Sequence, residues 1–179
     1  MICPNCGHDN LPGAEECSSC LQDLTQLDRP NPQDRVERSL MEDTVGGLHP
    51  VPALTLSPDG TVEEAVRAMM AHKVGALLIV DDQGKLLGIF SERDLLTRVA
   101  IEEADWETQV VGDFMTANPE TVTATSTLAF ALHKMDIGGY RHLPVMDEGK
   151  PVGVVSVRDM LRHITRILKQ SSSPKGKRP

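Results

Sequence analysis

Apolar residues recur along this chain in two separated rhythms. Val62, Ala65, Val66, Met69 and Met70 fall at i, i+3, i+4, i+7 and i+8, the spacing of one helical face. Thr61 just ahead of that run, with Glu64 three residues later, is placed as a capping box and predicts where the helix starts. The runs ALLIVD at 76–81 and LLGIFS at 86–91, separated by a turn holding Gly84, predict two short strands, and a second helix is predicted from about Glu92. The order then returns: Leu128, Ala131, Leu132 and Met135, HLPVMD at 142–147, a turn at Gly149, PVGVVS at 151–156, and a helix from about Val157. Short strands that are apolar on both faces need helices to cover them, so an α/β (α+β) arrangement with one shared core is expected.

The second rhythm copies the first. At an offset of 66, TVGGL at 44–48 falls on VVGDF at 110–114, Thr55 on Thr121, Ala65 on Ala131, Met69 on Met135 and Asp81 on Asp147. One residue is dropped in the turn. Seven of the thirteen positions 84–96 are then identical to their counterparts in 149–161. A duplication of this length decides the architecture: two units of strand, helix, strand, strand, helix, over residues 45–107 and 108–170.

Residues 1–24 follow neither rhythm. They hold all four cysteines of the chain, Cys3, Cys6, Cys17 and Cys20, as C-x2-C, ten residues, C-x2-C. Two such hairpins can gather four thiolates around one tetrahedral ion, and a segment this short has no other means of building a core, so a structural Zn²⁺ site is expected. Two disulfides and a thioredoxin-type redox pair are the rival readings of the same spacing. The stretch CPNCGHDNLPGAEECSSC resembles the small zinc ribbons at the ends of many prokaryotic proteins. Leu21 stands where that resemblance implies glycine, so the second knuckle is expected to be less tight. His8 is a further candidate ligand, but four thiolates fill a tetrahedron and a solvated loop histidine is the expectation. Residues 25–44 read as a tether, with room for a short helix that starts near Asn31 and Pro32 and carries Val36, Leu40 and Met41. Residues 171–179 read as a disordered basic tail.

Composition narrows the partners. The chain has 179 residues, a net charge of -8 and a pI near 5.2, which argues against general affinity for nucleic acid or anionic lipid. Residues 1–28 carry Asp9, Glu15, Glu16, Asp23 and Asp28 with no Lys or Arg, and four thiolates on one Zn²⁺ add further negative charge. Such a ribbon would repel phosphate, so a protein partner is expected for it if it has a partner at all. No run approaches the roughly 20 apolar residues of a membrane span, and the N-terminus lacks the layout of a signal peptide. The expected compartment is the cytoplasm.

The entry motif V-x-D-F-M-T at 111–116, the strand R-H-L-P-V at 141–145 and the closing G-h-h-S-x-x-D of both copies resemble a tandem pair of cystathionine β-synthase (CBS) domains. The resemblance covers residues 45 to about 168. It implies a pseudo-twofold module, commonly a homodimer, with clefts that bind adenine nucleotide (AMP, ADP or ATP) or a related adenosyl compound. An ionised Asp only accepts hydrogen bonds, and its two oxygens can receive both hydroxyls of a ribose diol. A serine one turn earlier can donate to a phosphate, beside the N–H groups of a helix N-terminus. The nucleotide-binding residues implied are Ser91, Arg93, Asp94, Thr116, Arg141, His142, Ser156, Arg158 and Asp159, with the entry segments at His49 and Leu54 as further lining. The same Ser-x-x-Asp is also an ordinary helix cap. His49 stands where a small hydroxyl residue is expected. Because the first copy has Gly75 and Ala76 where the second has Arg141 and His142, the Ser156/Asp159 cleft is expected to hold phosphate more tightly.

Arg158, Arg162, Arg166 and Lys169 line one side of the final helix, read as a solvated basic face, with a docking face for an acidic partner as the alternative. No Ser-His-Asp, Cys-His or paired-carboxylate arrangement stands out, so no enzyme is expected. The expected function is a non-catalytic sensor of adenine nucleotide with a structural zinc ribbon. The alternative is a dimeric adaptor with empty clefts that presents its ribbons to a protein partner.

Overall fold

A computed structural model describes residues 3, 5–11, 14–24, 34–99 and 105–171. They divide into two units, Met1–Asp34 and Arg35–Pro179. The tail expected at 171–179 lies outside the described residues beyond the end of the last helix, as does the helix start at Asn31 and Pro32. Among the described residues no helix is long and apolar enough to cross a membrane.

The larger unit contains strands β1 (Val51–Pro52), β2 (Thr55–Leu56), β3 (Ala76–Val80), β4 (Leu86–Ser91), β5 (Thr116–Ala117), β6 (Val122–Thr123), β7 (His142–Asp147) and β8 (Lys150–Ser156). Its helices are α1 (Arg35–Glu42), α2 (Val62–His72), α3 (Glu92–Thr97), α4 (Val111–Phe114), α5 (Leu128–Gly138) and α6 (Val157–Ser171). The capping box that predicts α2 forms: Glu64 N–H donates to Thr61 Oγ1 at 3.1 Å and Thr61 N–H to Glu64 Oε2 at 2.9 Å. Thr127 caps α5 at the matching position, accepting from the Phe130 N–H at 3.2 Å. Val62, Ala65 and Met69 are buried, but Met70 is 74% exposed. The apolar face of α2 is therefore narrower than its sequence spacing suggests.

Two four-stranded sheets form, in the orders β2-β3-β4-β5 and β1-β8-β7-β6. Each takes an edge strand from the other repeat. The entry strand of the second repeat, β5, pairs with β4, and that of the first, β1, pairs with β8. Glycine permits both unions. A Cβ on Gly153 would stand 2.9 Å from the Val51 carbonyl oxygen, and one on Gly88 would stand 3.1 Å from that of Thr116. The entry segments also exchange cores: Val45 packs with Leu128, Ala131 and Met135, while Val111 and Phe114 pack with Val62, Ala65 and Met69. Leu77, Ile79 and Phe90 face the α2 side. Ala76, Leu78 and Ile89 face the other way, against Ala53 and Val154. That two-sided burial is why the strand reads as one continuous apolar run.

Helix α1 belongs to the larger unit, where Leu40 packs against the core of the second repeat. A buried polar tie also holds it. Ser39 Oγ lies 2.7 Å from His163 Nε2 on α6, Asp43 Oδ2 lies 3.1 Å from the same nitrogen, and Arg166 Nη2 lies 3.0 Å from His163 Nδ1. Serine, histidine and aspartate thus meet here, though the sequence does not suggest it. The geometry is not that of a nucleophile and base, which needs the carboxylate on the ring nitrogen away from the serine.

Candidate functional sites

Both Ser-x-x-Asp motifs sit where a strand turns into a helix, β4 into α3 and β8 into α6. In each, one oxygen of the aspartate is saturated by the cap. Asp94 Oδ2 accepts from the Ser91 N–H at 3.0 Å and from Ser91 Oγ at 2.6 Å; Asp159 Oδ2 accepts from the Ser156 N–H at 2.9 Å and Ser156 Oγ at 2.6 Å. The bracket therefore offers a sugar one carboxylate oxygen, Oδ1, rather than both. The two Oδ1 atoms differ. Asp94 Oδ1 accepts from Thr116 Oγ1 at 3.2 Å and lies 3.6 Å from Arg98 Nε, in a residue only 6% exposed. Asp159 Oδ1 accepts from Arg162 Nη1 at 3.1 Å, and that arginine is itself mostly exposed.

Strand register explains the difference. Thr116 lies opposite Ile89, and the residue in the same place opposite Val154 is Val51. The position without a hydroxyl is thus Val51, not the expected His49; the entry turn of the first repeat holds one residue more before its strand. His49 adopts a left-handed backbone, φ 53, just ahead of that strand.

Each bracket opens on a cleft of about 340 Å³, at the small end of the usual range for ligand pockets. Ser91, Arg93, Asp94 and Thr116 line the first, and Ser156, Arg158 and Asp159 line the second, with Leu54 in its wall. Arg93 reaches across to the other repeat, its Nη1 donating to the Gly139 carbonyl at 3.1 Å. Arg141 and His142 line both clefts, so they do not by themselves distinguish the second from the first. The second is still the more basic: Lys73, Arg141, Arg158 and Arg162 face Glu92 and Asp159, whereas in the first Arg93, Arg98 and Arg141 face Glu92, Asp94 and Glu120. Burial lowers the pKa of His142, helped by Arg141 and Arg158 and opposed by Glu92 and Asp159. Sequence reasoning does not single out Glu92, at a variable position of the motif, nor Arg98. The latter was findable, since an arginine four residues after an aspartate shares its helical face.

In the smaller unit the four sulfurs gather within 4.8 Å of one another, Cys3 and Cys20 at 3.7 Å and Cys6 and Cys17 at 3.6 Å. Thiolates at tetrahedral angles on one Zn²⁺ stand about 3.8 Å apart, so the donor set fits that ion. All four are free thiols with no disulfide among them, and His8 stays exposed outside the cluster. Amide donors point at the sulfurs, Asn10 Nδ2 to Cys17 and Asn5 Nδ2 to Cys20, each at 3.6 Å. Burial opposes ionisation of Cys17, but N–H groups of Cys20 and Ser19 and the Asn10 side chain outweigh it and lower its pKa to about 6. Both knuckles close alike: Gly7 N–H reaches the Cys3 carbonyl and Leu21 N–H the Cys17 carbonyl, both at 2.9 Å. The second is thus no looser than the first. Leu21 instead adopts the left-handed φ of 59 that Gly7 takes at 72, at a cost of about 1 kcal/mol.

The family model of the CBS domain matches residues 41–101 and 111–166. The chain is 38% identical over 120 residues to CBS domain-containing protein CBSCBSPB2 of Arabidopsis thaliana, covering 67% of this chain and 22% of that one. It thus spans about a fifth of the length of the curated relatives it matches first. Among solved structures, the CBS-domain containing protein ATU1752 from Agrobacterium tumefaciens superposes with a TM-score of 0.63 at 34% identity, covering 67% of this chain and 98% of that one. CBSX2 in complex with AMP superposes at 0.57 with 28% identity, covering 70% and 98%. The duplicated strand-helix grammar, the exchanged edge strands and these likenesses have one meaning: the chain belongs to the CBS domain family and carries two CBS domains in tandem.

Proposed function

We propose that this chain is a non-catalytic regulatory module that binds an adenine nucleotide in the clefts of its CBS pair and holds a structural Zn²⁺ on Cys3, Cys6, Cys17 and Cys20. CBS domain proteins are generally regulatory and non-catalytic. The observation that carries the reading is the pair of Ser-Asp brackets, each opening on a cleft lined by cations in a chain that is acidic as a whole. A likeness to a CBS protein in complex with AMP supports the choice of adenine. In this reading Asp159 Oδ1 accepts from the ribose, Ser156 and the α6 N-terminus meet the phosphate, Arg141 and Arg158 neutralise it, and His142 is a hydrogen-bond partner beside them. The ribbon over residues 1–24 keeps its fold through the ion and meets a protein partner. Exposed Met70, Ile137 and Leu161 on α2, α5 and α6 suit a homodimer of CBS pairs, which light scattering tests.

The test is a thermal-shift and calorimetric panel of AMP, ADP, ATP, NAD and S-adenosylmethionine, with Asp159→Ala as control. A ligand that binds only the native state at a hundred times its dissociation constant stabilises it by about 2.7 kcal/mol. No shift with any member refutes the nucleotide reading. One observation favours the adaptor instead: both brackets are satisfied as caps without any ligand. In that case the panel is silent and the protein partner still binds.

A further inference from the structure

The two clefts have separate aspartates but common walls. Glu92, Arg141 and His142 line both. His142 opens β7 opposite Ser156 and packs beside Gly75, the residue before β3; a Cβ built on Gly75 would stand 3.1 Å from His142 Nε2 and 3.4 Å from Glu92 Cδ. The absence of a side chain at Gly75 brings the imidazole of the second repeat up against the first. That first repeat has Gly75 and Ala76 where the second has Arg141 and His142, so it supplies no equivalent pair. One guanidinium and one imidazole therefore face both openings.

A sugar in either cleft has its own acceptor, Asp94 or Asp159. The anionic end of a ligand finds further cations in each cleft, but in the first Arg93 and Arg98 already donate to the carbonyls of Gly139, Phe114 and Met115, and Arg141 is common to both. An anion drawn to Arg141 from one side neutralises it for the other, and two anions near one cation repel each other. We propose that the two clefts share one phosphate locus at Arg141 and His142, so that a mononucleotide in one cleft weakens the binding of a second. This rests on the nucleotide reading above. The first occupant enters the Ser156/Asp159 cleft, where Lys73, Arg158 and Arg162 add charge and Asp159 Oδ1 is bonded by an exposed arginine alone. The second meets Glu120 and an Asp94 already bound by Thr116. Coupling of this origin requires the phosphate and vanishes for an uncharged nucleoside.

The test titrates the full-length chain with AMP and with adenosine, in wild type and in Arg158→Glu. Arg158 is exposed and lines only the Ser156/Asp159 cleft, so the variant closes that cleft to phosphate without touching either cap. Wild type is expected to bind AMP in two steps. The single step of Arg158→Glu, at the Ser91/Asp94 cleft, is expected to be about fivefold or more tighter than the second wild-type step, because no first occupant is present. Adenosine should bind that cleft equally in both proteins. Equal AMP affinities for the two steps compared refute the shared locus and leave the nucleotide reading standing, as does an adenosine shift as large as that of AMP. Wild type that binds no AMP refutes both. Asp159→Ala, which empties the same cleft by another route, must repeat the result.

Discussion

Removing either bracket carboxylate is expected to destabilise the CBS unit, and unequally. In Asp94→Ala the Ser91 N–H and the hydroxyls of Ser91 and Thr116 lose their acceptor, and Arg98 loses its ion pair, around a residue that is 6% exposed. With about 1 kcal/mol for each orphaned donor, the loss is about 3 kcal/mol. In Asp159→Ala the Ser156 N–H and hydroxyl lose theirs, but Arg162, mostly exposed, turns to water at little cost. That loss is about 2 kcal/mol, within the range of an ordinary cap. For a unit of this length 1 kcal/mol moves the midpoint by roughly 3–4 °C, so the melts should fall by about 10 °C and about 7 °C. Urea unfolding followed by far-UV circular dichroism, without ligand, reads the difference directly. Equal losses, or a larger one for Asp159→Ala, would refute the claim that the borrowed strand converts Asp94 into a structural hub.

Further outcomes follow from other contacts. Gly153→Ala should cost about 2 kcal/mol, measured by denaturant, because its Cβ meets the backbone oxygen of Val51 and β1 must lift from the sheet edge. Met69→Ala should cost about 2–4 kcal/mol while Met70→Ala stays within about 0.5, since the first is buried and the second exposed; similar values would mean that α2 is rotated. His142 has a folded pKa below its usual 6.5, so as pH falls below about 6.5 the unfolded chain takes up the proton first and stability is lost. His142→Gln should flatten that slope between about pH 7.5 and pH 5.5 in urea midpoints; an unchanged slope assigns it to other groups. Metal analysis of the purified chain should find one zinc, and Cys17→Ser should lower the retained amount sharply; equal zinc in both refutes the four-thiolate site.

The chain's own pattern determines much of this protein. Period 3.6 at Val62–Met69 and Leu128–Met135, capping residues at Thr61 and Thr127, and the glycines between short apolar runs are local signals, and local hydrogen bonding obeys them. The C-x2-C spacing is likewise local and places four sulfurs together. Tertiary structure decided what depends on contacts between distant segments. Repeat register alone cannot say that β1 joins the sheet of the second repeat and β5 that of the first, because two-residue strands carry no periodicity. Nor can it say that Val51 rather than His49 stands opposite Val154, or that Arg141 and His142 face two clefts instead of one. The coming together of Ser39, Asp43 and His163 across 124 residues has no sequence period at all. Side-chain type sets which chemistry is available, but the exchange of edge strands between the two sheets decides which groups meet.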